Sequence, residues 1–360
     1  MVDGSGLVAV AMSGGVDSSV AALLLARRGC ACVGLTMRLW AQGEACDPDR
    51  TCCSADAARD AGRVCARIGI PHYALDMEEE FISAVVDPFV ADYLAGRTPN
   101  PCVRCNTHLK WGRLWERACA VGATGMATGH YARIRQREGE WQLLRGLDSG
   151  KDQSYFLWGI PRELLSRTFF PLGELVKSDT RWLAREACLP VAEKSESQDI
   201  CFVPAGDYRE VVRARAGEAP LLRPGPILGP EGQILGTHDG LAGYTIGQRR
   251  GIGVAWSEPL YVVGIDPEEN ALRLGRADKL LVSRLELCEE NWLCDAPEAC
   301  GDLSVQVRYR GKASPCRLER KASGTVLHLQ ESVSRPACGQ SMVVYRGERV
   351  LGGGVLASSS

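Results

Sequence analysis

Ser13-Gly14-Gly15-Val16-Asp17-Ser18-Ser19 is the stretch from which the rest of the chain is read. In front of it, Leu7-Val8-Ala9-Val10-Ala11-Met12 is a wholly apolar run, the pattern of a strand buried on both faces. Behind it, residues 20–28 are rich in Ala and Leu and predict a helix that Gly29 ends. Strand, Gly-rich turn and helix together make an anion site, because backbone N–H groups point outward and the helix dipole favours negative charge. Two glycines let a phosphate approach the backbone, and Ser18 and Ser19 are expected to donate hydroxyl hydrogen bonds.

The spacing is not that of a Walker loop, since no Lys follows the glycines, nor is it the dinucleotide fingerprint. Ser-Gly-Gly-Val-Asp-Ser resembles the PP-loop of the ATP pyrophosphatase superfamily, whose members activate a substrate oxygen by transferring AMP to it and releasing pyrophosphate. A tight βα connection without a ligand is the alternative reading of the same residues.

A chain of 360 residues with 45% apolar content supports two or three domains with real cores. No apolar run is long enough to span a membrane, and no signal-peptide pattern opens the chain, so a soluble, cytoplasmic protein is expected. Sixteen Cys residues in a chain this long do not argue for a disulfide scaffold. Cys30, Cys32, Cys65, Cys119 and Cys188 lie in apolar or helical surroundings and are expected to be inert. The net charge of −2 makes no global case for nucleic acid, but its distribution is uneven. Residues 286–302 hold six acids and no Lys or Arg, whereas residues 303–360 hold nine Lys and Arg against three Asp and Glu. A basic terminal module is a candidate nucleic-acid backbone binder; a solvated basic face reads equally well.

Cys32-Val33-Gly34-Leu35-Thr36-Met37 predicts a second buried strand, with Met37 near the phosphate loop as an adenine platform or an ordinary core residue. Residues 40–51 read as an irregular loop, and residues 54–68 as a helix capped by Ser54. His72-Tyr73-Ala74-Leu75-Asp76 is a third strand, and residues 78–94 an amphipathic helix. Gly96 to Asn106 contains two prolines and an Asn-Pro step, which predict a fixed turn presenting Cys105 just before a helix over residues 107–121. A Cys at a helix N-terminus beside Arg104 is a candidate low-pKa thiolate. Cys102-x-x-Cys105 also admits a zinc half-site completed by Cys52 and Cys53, or a redox pair. Gly129, in Thr128-Gly129-His130-Tyr131-Ala132, suits close approach by a nucleotide, and His130 suits either a core hydrogen bond or a phosphate. Residues 141–145 lead through a polar loop to Lys151-Asp152-Gln153-Ser154-Tyr155-Phe156. Residues 178–187 predict a helix capped by Ser178, and the polar segment 193–202 ends at Cys201, placed for reactivity or burial.

Taken in order, the phosphate loop, Gly-Leu-Thr-Met, Thr-Pro-Asn-Pro-x-x-x-Cys-Asn, Thr-Gly-His-Tyr-Ala, Lys-Asp-Gln-Ser-Tyr-Phe-Leu, Ser-x-Asp-Ile-Cys-Phe and Gly-Tyr-Thr-Ile-Gly-Gln-Arg-Arg-Gly resemble the bacterial tRNA-specific 2-thiouridylases, the MnmA family. The resemblance spans nearly the whole chain. It implies an α/β fold with a doubly wound, mostly parallel sheet of the adenine nucleotide α-hydrolase kind, then a small central domain and a C-terminal antiparallel β-barrel. The corresponding divisions are residues 1–207, 208–280 and 281–360. It implies ATP, with Mg2+, on Ala11, Met12, Ser13, Gly14, Gly15, Val16, Asp17, Ser18, Met37 and Gly129. It puts tRNA, through its anticodon arm, on Asn100, His130, Lys151, Asp152, Gln153, a strand bearing Arg308 and Tyr309, and Gln340. Cys105 matches the family nucleophile and Cys201 its persulfide carrier, the two forming a disulfide after turnover. Sulfur would come from a cysteine desulfurase or a relay protein. One departure is Cys102, where many members carry Asp, so the general acid/base role proposed for that carboxylate does not carry over.

Residues 217–236 are crowded with Pro and Gly, as in a linker or small irregular domain, and Arg249 and Arg250 sit in a loop able to touch RNA backbone. Residues 259–265 and 271–274 bracket a hairpin turn, and alternation in residues 303–310, 325–330 and 341–345 predicts barrel strands. Two other classes fit parts of the pattern. A PP-loop synthetase acting on a small molecule needs no paired reactive cysteines, and a non-catalytic RNA-binding or zinc protein releases no pyrophosphate.

Overall fold

The computed structural model describes residues 6–39, 55–196, 200–203, 207–217, 219–322 and 324–360. The expected loop at residues 40–51, the Ser54 cap, and Cys46, Cys52 and Cys53 lie outside the described residues. The described chain forms two units. One takes residues within Met1–Val85, Cys102–Gly206 and Glu348–Val350; the other takes those within Val86–Pro101, Asp207–Gly347 and Leu351–Ser360. Residues 86–101 thus pack with the later part of the chain, a non-sequential division that composition does not reveal.

The first unit is built on a parallel sheet. Its strands are β1 (Leu7–Ala11), β2 (Cys32–Arg38), β3 (His72–Asp76), β4 (Ala123–Ala127) and β7 (Thr168–Phe169), in the order β3-β2-β1-β4-β7. Val8, Ala9 and Val10 of β1 are 1% exposed or less, which is why that strand reads as a continuous apolar run. Helix α1 (Val16–Arg27) buries Val20, Ala21 and Leu25 in the same core, with Val64 and Cys65 of α2 (Ala55–Ile68). Each buried Val or Leu contributes about 1.5–3 kcal/mol relative to exposure, so this packing outweighs the helix's weak amphipathicity. The chain leaves β1 toward β2 on one side and later returns to β4 on the other. The crevice beyond the C-terminal end of β1 is therefore the topological switch point, where open α/β sheets bind ligands.

Strands β5 (Ala132–Arg137) and β6 (Glu140–Arg145) form a hairpin, so residues 141–145 are a strand rather than the start of a loop. Glu138 and Gly139 both take positive φ, as a two-residue turn matched to strand twist requires. Arg349 and Val350 pair with Leu144 and Leu143.

In the second unit, helix Asp87–Leu94 lies against α4 (Tyr208–Ala216), with the Tyr93 and Tyr208 rings stacked at 4.4 Å. Strands β8 (Gly225–Leu228), β9 (Ile234–His238), β10 (Tyr261–Asp266) and β11 (Ala271–Gly275) make a small sheet over Ile227, Val262 and Leu272. The hairpin expected around residues 266–270 is the β10–β11 pair. The last six strands are β12 (Leu281–Trp292), β13 (Leu303–Gln306), β14 (Ser314–Lys321), β15 (Gly324–Ser334), β16 (Ser341–Arg346) and β17 (Arg349–Ser359). Their order is β12-β15-β14-β13-β16-β17, and β12–β17 pairing closes the barrel and leaves no open edge. Strand β13 stops at Gln306. Arg308, Tyr309 and Arg310 form a turn in which Arg310 takes φ 61°, which ends the expected alternation early. No helix among the described residues is long and apolar enough to cross a membrane.

Candidate active site

The two loop glycines have different duties. Gly14 takes φ +69°, and a Cβ there would stand 2.3 Å from the backbone oxygen of Ala57 in α2. The fold itself requires glycine at that point. Gly15 is extended, with φ −96° and ψ 170°, and a Cβ on it would meet nothing nearer than Ser13 Oγ at 3.5 Å. Nothing in the protein demands glycine at position 15. It stands where α1 begins without a side-chain cap, at the positive end of the helix dipole.

Ser18 and Ser19 do donate hydroxyl hydrogen bonds, and they donate them to the loop itself. Ser18 Oγ and Ser19 Oγ donate to the Gly15 carbonyl at 3.2 and 2.7 Å, and Ser18 Oγ accepts from Ser13 N at 3.2 Å. These bonds hold the loop in shape, so its donors are backbone groups. Gly129 also has a structural reason: a Cβ there would lie 2.6 Å from Asp17 C and Ser18 N, so it is the loop's own backbone that approaches it. Met37 is 6% exposed on β2, and Met12 and Val16 are core residues.

A ring of charge surrounds the loop. Lys177 Nζ donates to both Asp17 oxygens, at 2.7 and 2.9 Å, and lies 3.0 Å from Glu196 Oε1. Glu196 Oε2 accepts from Lys151 Nζ at 2.7 Å. Burial would raise the Glu196 carboxyl, but hydrogen bonds and charges from Lys151 and Lys177 outweigh it and hold it at about 2. Tyr131 Oη hydrogen-bonds to Asp17 Oδ1 at 3.1 Å and to Thr180 Oγ1 at 2.9 Å. Burial, with the Asp17 charge behind it, pushes that phenol up, so it stays neutral. On the other side of the loop, Lys194 Nζ donates to Gly14 O at 3.2 Å and to Asp60 at 2.8 Å. Lys177 opens helix α3 (Lys177–Glu186), whose cap is not Ser178. Its first N–H is accepted by Asp148 Oδ2 at 3.0 Å, a partner 29 residues away that local sequence cannot announce.

Of Lys151, Asp152 and Gln153, all three are engaged within the protein. Asp152 accepts from Gly146 N, Ser154 N, Ser154 Oγ and Arg145, and organises its turn. Gln153 Oε1 accepts from Tyr131 N at 3.0 Å, which fixes the Tyr131 backbone beside the loop.

The cysteines sit differently from expectation. Pro101 does not prolong a turn; it opens a helix, which it tolerates at a first position, and the chain is already helical over Pro101–Arg104. Cys105 begins a π-helical segment, Cys105–Leu114, one turn inside the helix, where the N-terminal dipole has largely faded. Cys102 is exposed, while Cys105 and Cys201 are half-buried. Asn106, next to Cys105, donates to Phe156 O at 2.9 Å and accepts from Lys110 Nζ at 2.9 Å. Phe202, next to Cys201, packs edge-on against Phe81 at 5.6 Å, and helix Glu78–Phe81 packs on the π segment. Both cysteines thus stand on segments that share Phe81's helix as a neighbour. Cys32 and Cys65 are buried, their thiols pushed up by burial to about 11 and about 12, but Cys119 and Cys188 are exposed.

His130 lies between Trp111 and Phe170, with Nδ1 2.7 Å from Thr128 Oγ1. Loss of water, then the Lys110 charge, holds its imidazole well below the usual range and therefore neutral. The remaining expected tRNA residues belong to the second unit. Gln340 Nε2 donates to Thr98 O at 2.7 Å and so fastens the segment that carries the half-buried Asn100. Arg308 donates to Arg335 O at 3.1 Å, and Tyr309 lies under Arg310 at 5.3 Å. Lys177, Glu196, Lys194, Asp60 and Tyr131 are the site residues that sequence reasoning did not single out; each is joined to the loop by contacts far apart in the chain.

Three family models match the chain. They are described as a tRNA methyl transferase HUP domain over residues 7–205, a tRNA methyl transferase PRC-barrel domain over 218–276, and an aminomethyltransferase beta-barrel domain over 282–356. A tRNA-specific 2-thiouridylase MnmA of Chloroflexus aggregans is 46% identical over 353 residues, covering 97% of this chain and 98% of its own. One from Geotalea uraniireducens is 44% identical over 359 residues, covering 96% and 94%. A solved 4-thiouridine synthetase–RNA complex with bound ATP covers 60% of this chain and 50% of its own at 17% identity; its TM-score of 0.36 is too low to carry an argument.

Proposed function

The chain belongs to the family of tRNA-specific 2-thiouridylases, and we infer from that membership and the site's chemistry that it is a tRNA sulfurtransferase using ATP to adenylate the wobble uridine and replace its O2 by sulfur. The observation that carries the nucleotide half is the open side of Gly15 beside an uncapped helix. The fold leaves there the room and the N–H donors that a phosphate chain needs. ATP lies against Ala11 to Ser18, with its base toward Met37 and Gly129. Asp17 is the loop's one carboxylate and is already paired with Lys177, and the described residues hold no cluster of metal ligands. Mg2+ would accompany the phosphates and offset their charge.

The loop N–H groups hold the phosphates while uridine O2 displaces pyrophosphate from the α-phosphorus. The terminal sulfur of a persulfide on Cys201, loaded by a cysteine desulfurase or relay protein, attacks C2. The Cys105 thiolate then attacks Cys201 Sγ and breaks the S–S bond, AMP leaves with the former O2, and a Cys105–Cys201 disulfide remains for a reductant to reopen. For that exchange the two Cα atoms must come within roughly 7 Å. The neutral His130 in its aromatic setting, Asn100, the turn at Arg308 and Tyr309, and Gln340 are assigned to the anticodon arm. Lys151, Asp152 and Gln153 act on it through the turn they build.

The test is nucleoside mass spectrometry on tRNA incubated with the protein, Mg-ATP, and a desulfurase with cysteine. Wild type gives 2-thiouridine, and Cys105→Ser and Cys201→Ser give none. A methylated nucleoside instead, formed only when a methyl donor is supplied, would favour the transfer named in the domain descriptions and overturn the reading.

A further inference from the structure

The first unit holds four lysines, at positions 110, 151, 177 and 194, and all four are half-buried. Three of them face carboxylates: Lys151 takes Glu196, Lys177 takes Asp17 and Glu196, and Lys194 takes Asp60. Lys110 differs. Its Nζ donates to the amide oxygen of Asn106 at 2.9 Å, and it meets no carboxylate among the described residues. Asn106 is buried and spends its amide nitrogen on Phe156 O, which aims its oxygen at the ammonium. A neutral amide meets only part of what a half-buried ammonium loses on leaving water, and an anion meets the rest. The π segment decides where that ammonium lies. A π turn closes between residues i and i+5, so the turn begun at Cys105 closes at Lys110. In an α-helix, with 3.6 residues per turn, residue i+5 would stand about 140° round the axis. The wider turn therefore brings Lys110 back to the side of the segment that carries Cys105. The Lys110 charge also reaches the His130 ring, where, after loss of water, it helps to hold the imidazole neutral.

Resting on the reading of the chain as a tRNA-modifying enzyme, we propose that Lys110 binds a backbone phosphate of the RNA beside the reacting uridine. A uridine brought to Cys105 arrives with a phosphodiester on either side. Lys110 is the lysine of the first unit whose charge no carboxylate among the described residues has already taken. Asn106 occupies one of its N–H donors and leaves the other two for phosphate oxygens. The contact holds the RNA in place and reads no base, since a phosphate carries no sequence. Asn106 and the π turn set the position of the ammonium, and its charge does the binding.

The experiment measures equilibrium binding of an unmodified tRNA with uridine at the wobble position to the full chain, over a series of salt concentrations and without ATP. A phosphate contact of a single strand releases counterions and contributes about 0.7 to the slope of log affinity against log salt. Lys110→Met, which keeps the apolar stem, therefore gives a slope shallower than wild type by about 0.7 and an affinity about fivefold lower at 0.1 M salt. Lys110→Gln, which keeps a donor for Asn106 and drops the charge, gives the same loss, and Lys110→Arg keeps the wild-type slope. A role confined to holding Asn106 would spare Lys110→Gln and leave every slope alone. ATP affinity, measured on the same proteins without tRNA, stays as in wild type. A wild-type salt slope in folded Lys110→Met and Lys110→Gln overturns the proposal and leaves the tRNA reading standing. Loss of ATP affinity with an unchanged tRNA slope also overturns it, and gives Lys110 to the phosphates of the nucleotide instead. Absence of tRNA binding by folded wild type would remove the reading on which the proposal rests.

Discussion

The phosphate loop and the C-terminal barrel handle their polar groups in opposite ways. In the barrel, polar side chains close on one another. Glu290 accepts from Thr325 N, Thr325 Oγ1 and Trp292 Nε1, and strand β12 pairs with both β15 and β17, so no edge is left over. At the loop, the serines spend their hydroxyls on holding the turn, while the helix start has no side-chain cap and a Cβ on Gly15 would meet only Ser13 Oγ, at 3.5 Å. Unmet backbone donors cost stability, and a fold tolerates them where a ligand supplies the acceptor. The barrel meets these polar groups internally, and the loop, on the proposed function, is completed by a nucleotide.

Substitutions separate the two kinds of region, and the largest effect belongs to the barrel core. Leu285 is fully buried there, and Leu285→Ala should cost about 2–5 kcal/mol in denaturant unfolding. Equilibrium binding of ATP to the folded fraction should stay as in wild type; a parallel loss of affinity would break the separation. Gly14→Ala comes next. Its positive φ and the 2.3 Å approach to Ala57 O predict a loss of roughly 2–3 kcal/mol, because backbone must move on both sides. Unfolding unchanged from wild type would show that the wall formed by α2 gives way easily.

The smallest effect is on pH dependence. The Glu196 carboxyl is held at about 2 in the folded chain, below its ordinary value of 4.5. Its ion pairs therefore stabilise the fold fully above about pH 4.5, and that contribution is lost as pH falls from there toward 2. Glu196→Gln should flatten the stability curve in that acid window and leave the neutral region's slope alone. Curves that run parallel through the window would mean that the carboxylate is not held by Lys151 and Lys177 in solution.

What could be read from sequence divides along the same line. The strands of the sheet announced themselves because burial on both faces demands unbroken apolar runs, as in residues 7–12. Barrel strands announced themselves by alternation, although Arg310, in the left-handed region, cut β13 four residues shorter than alternation suggested. The loop was legible as an anion site, yet the distinct duties of Gly14 and Gly15 depend on where α2 lies. Pro101 misled because proline both ends elements and begins helices, and only the structure shows which it does there. The charge ring was illegible for a plainer reason: Lys177 and Asp17 are 160 residues apart, and no local pattern marks such a pair. Lys194 and Glu196 did lie in a segment singled out for Cys201, but as polar filler.

The most direct test of the contrast is Gly15→Ala, assayed together for ATP affinity and thermal unfolding. The backbone there is extended and a Cβ has ordinary contact distance, so the fold should lose no more than about 1 kcal/mol, the usual scale for an N-cap change. ATP affinity should fall by about tenfold to a hundredfold, the scale of losing one or two charge-assisted hydrogen bonds, because the methyl group takes the space kept for phosphate. Wild-type affinity in a fully folded Gly15→Ala protein would contradict the account: the space beside Gly15 would then not be where the phosphates sit.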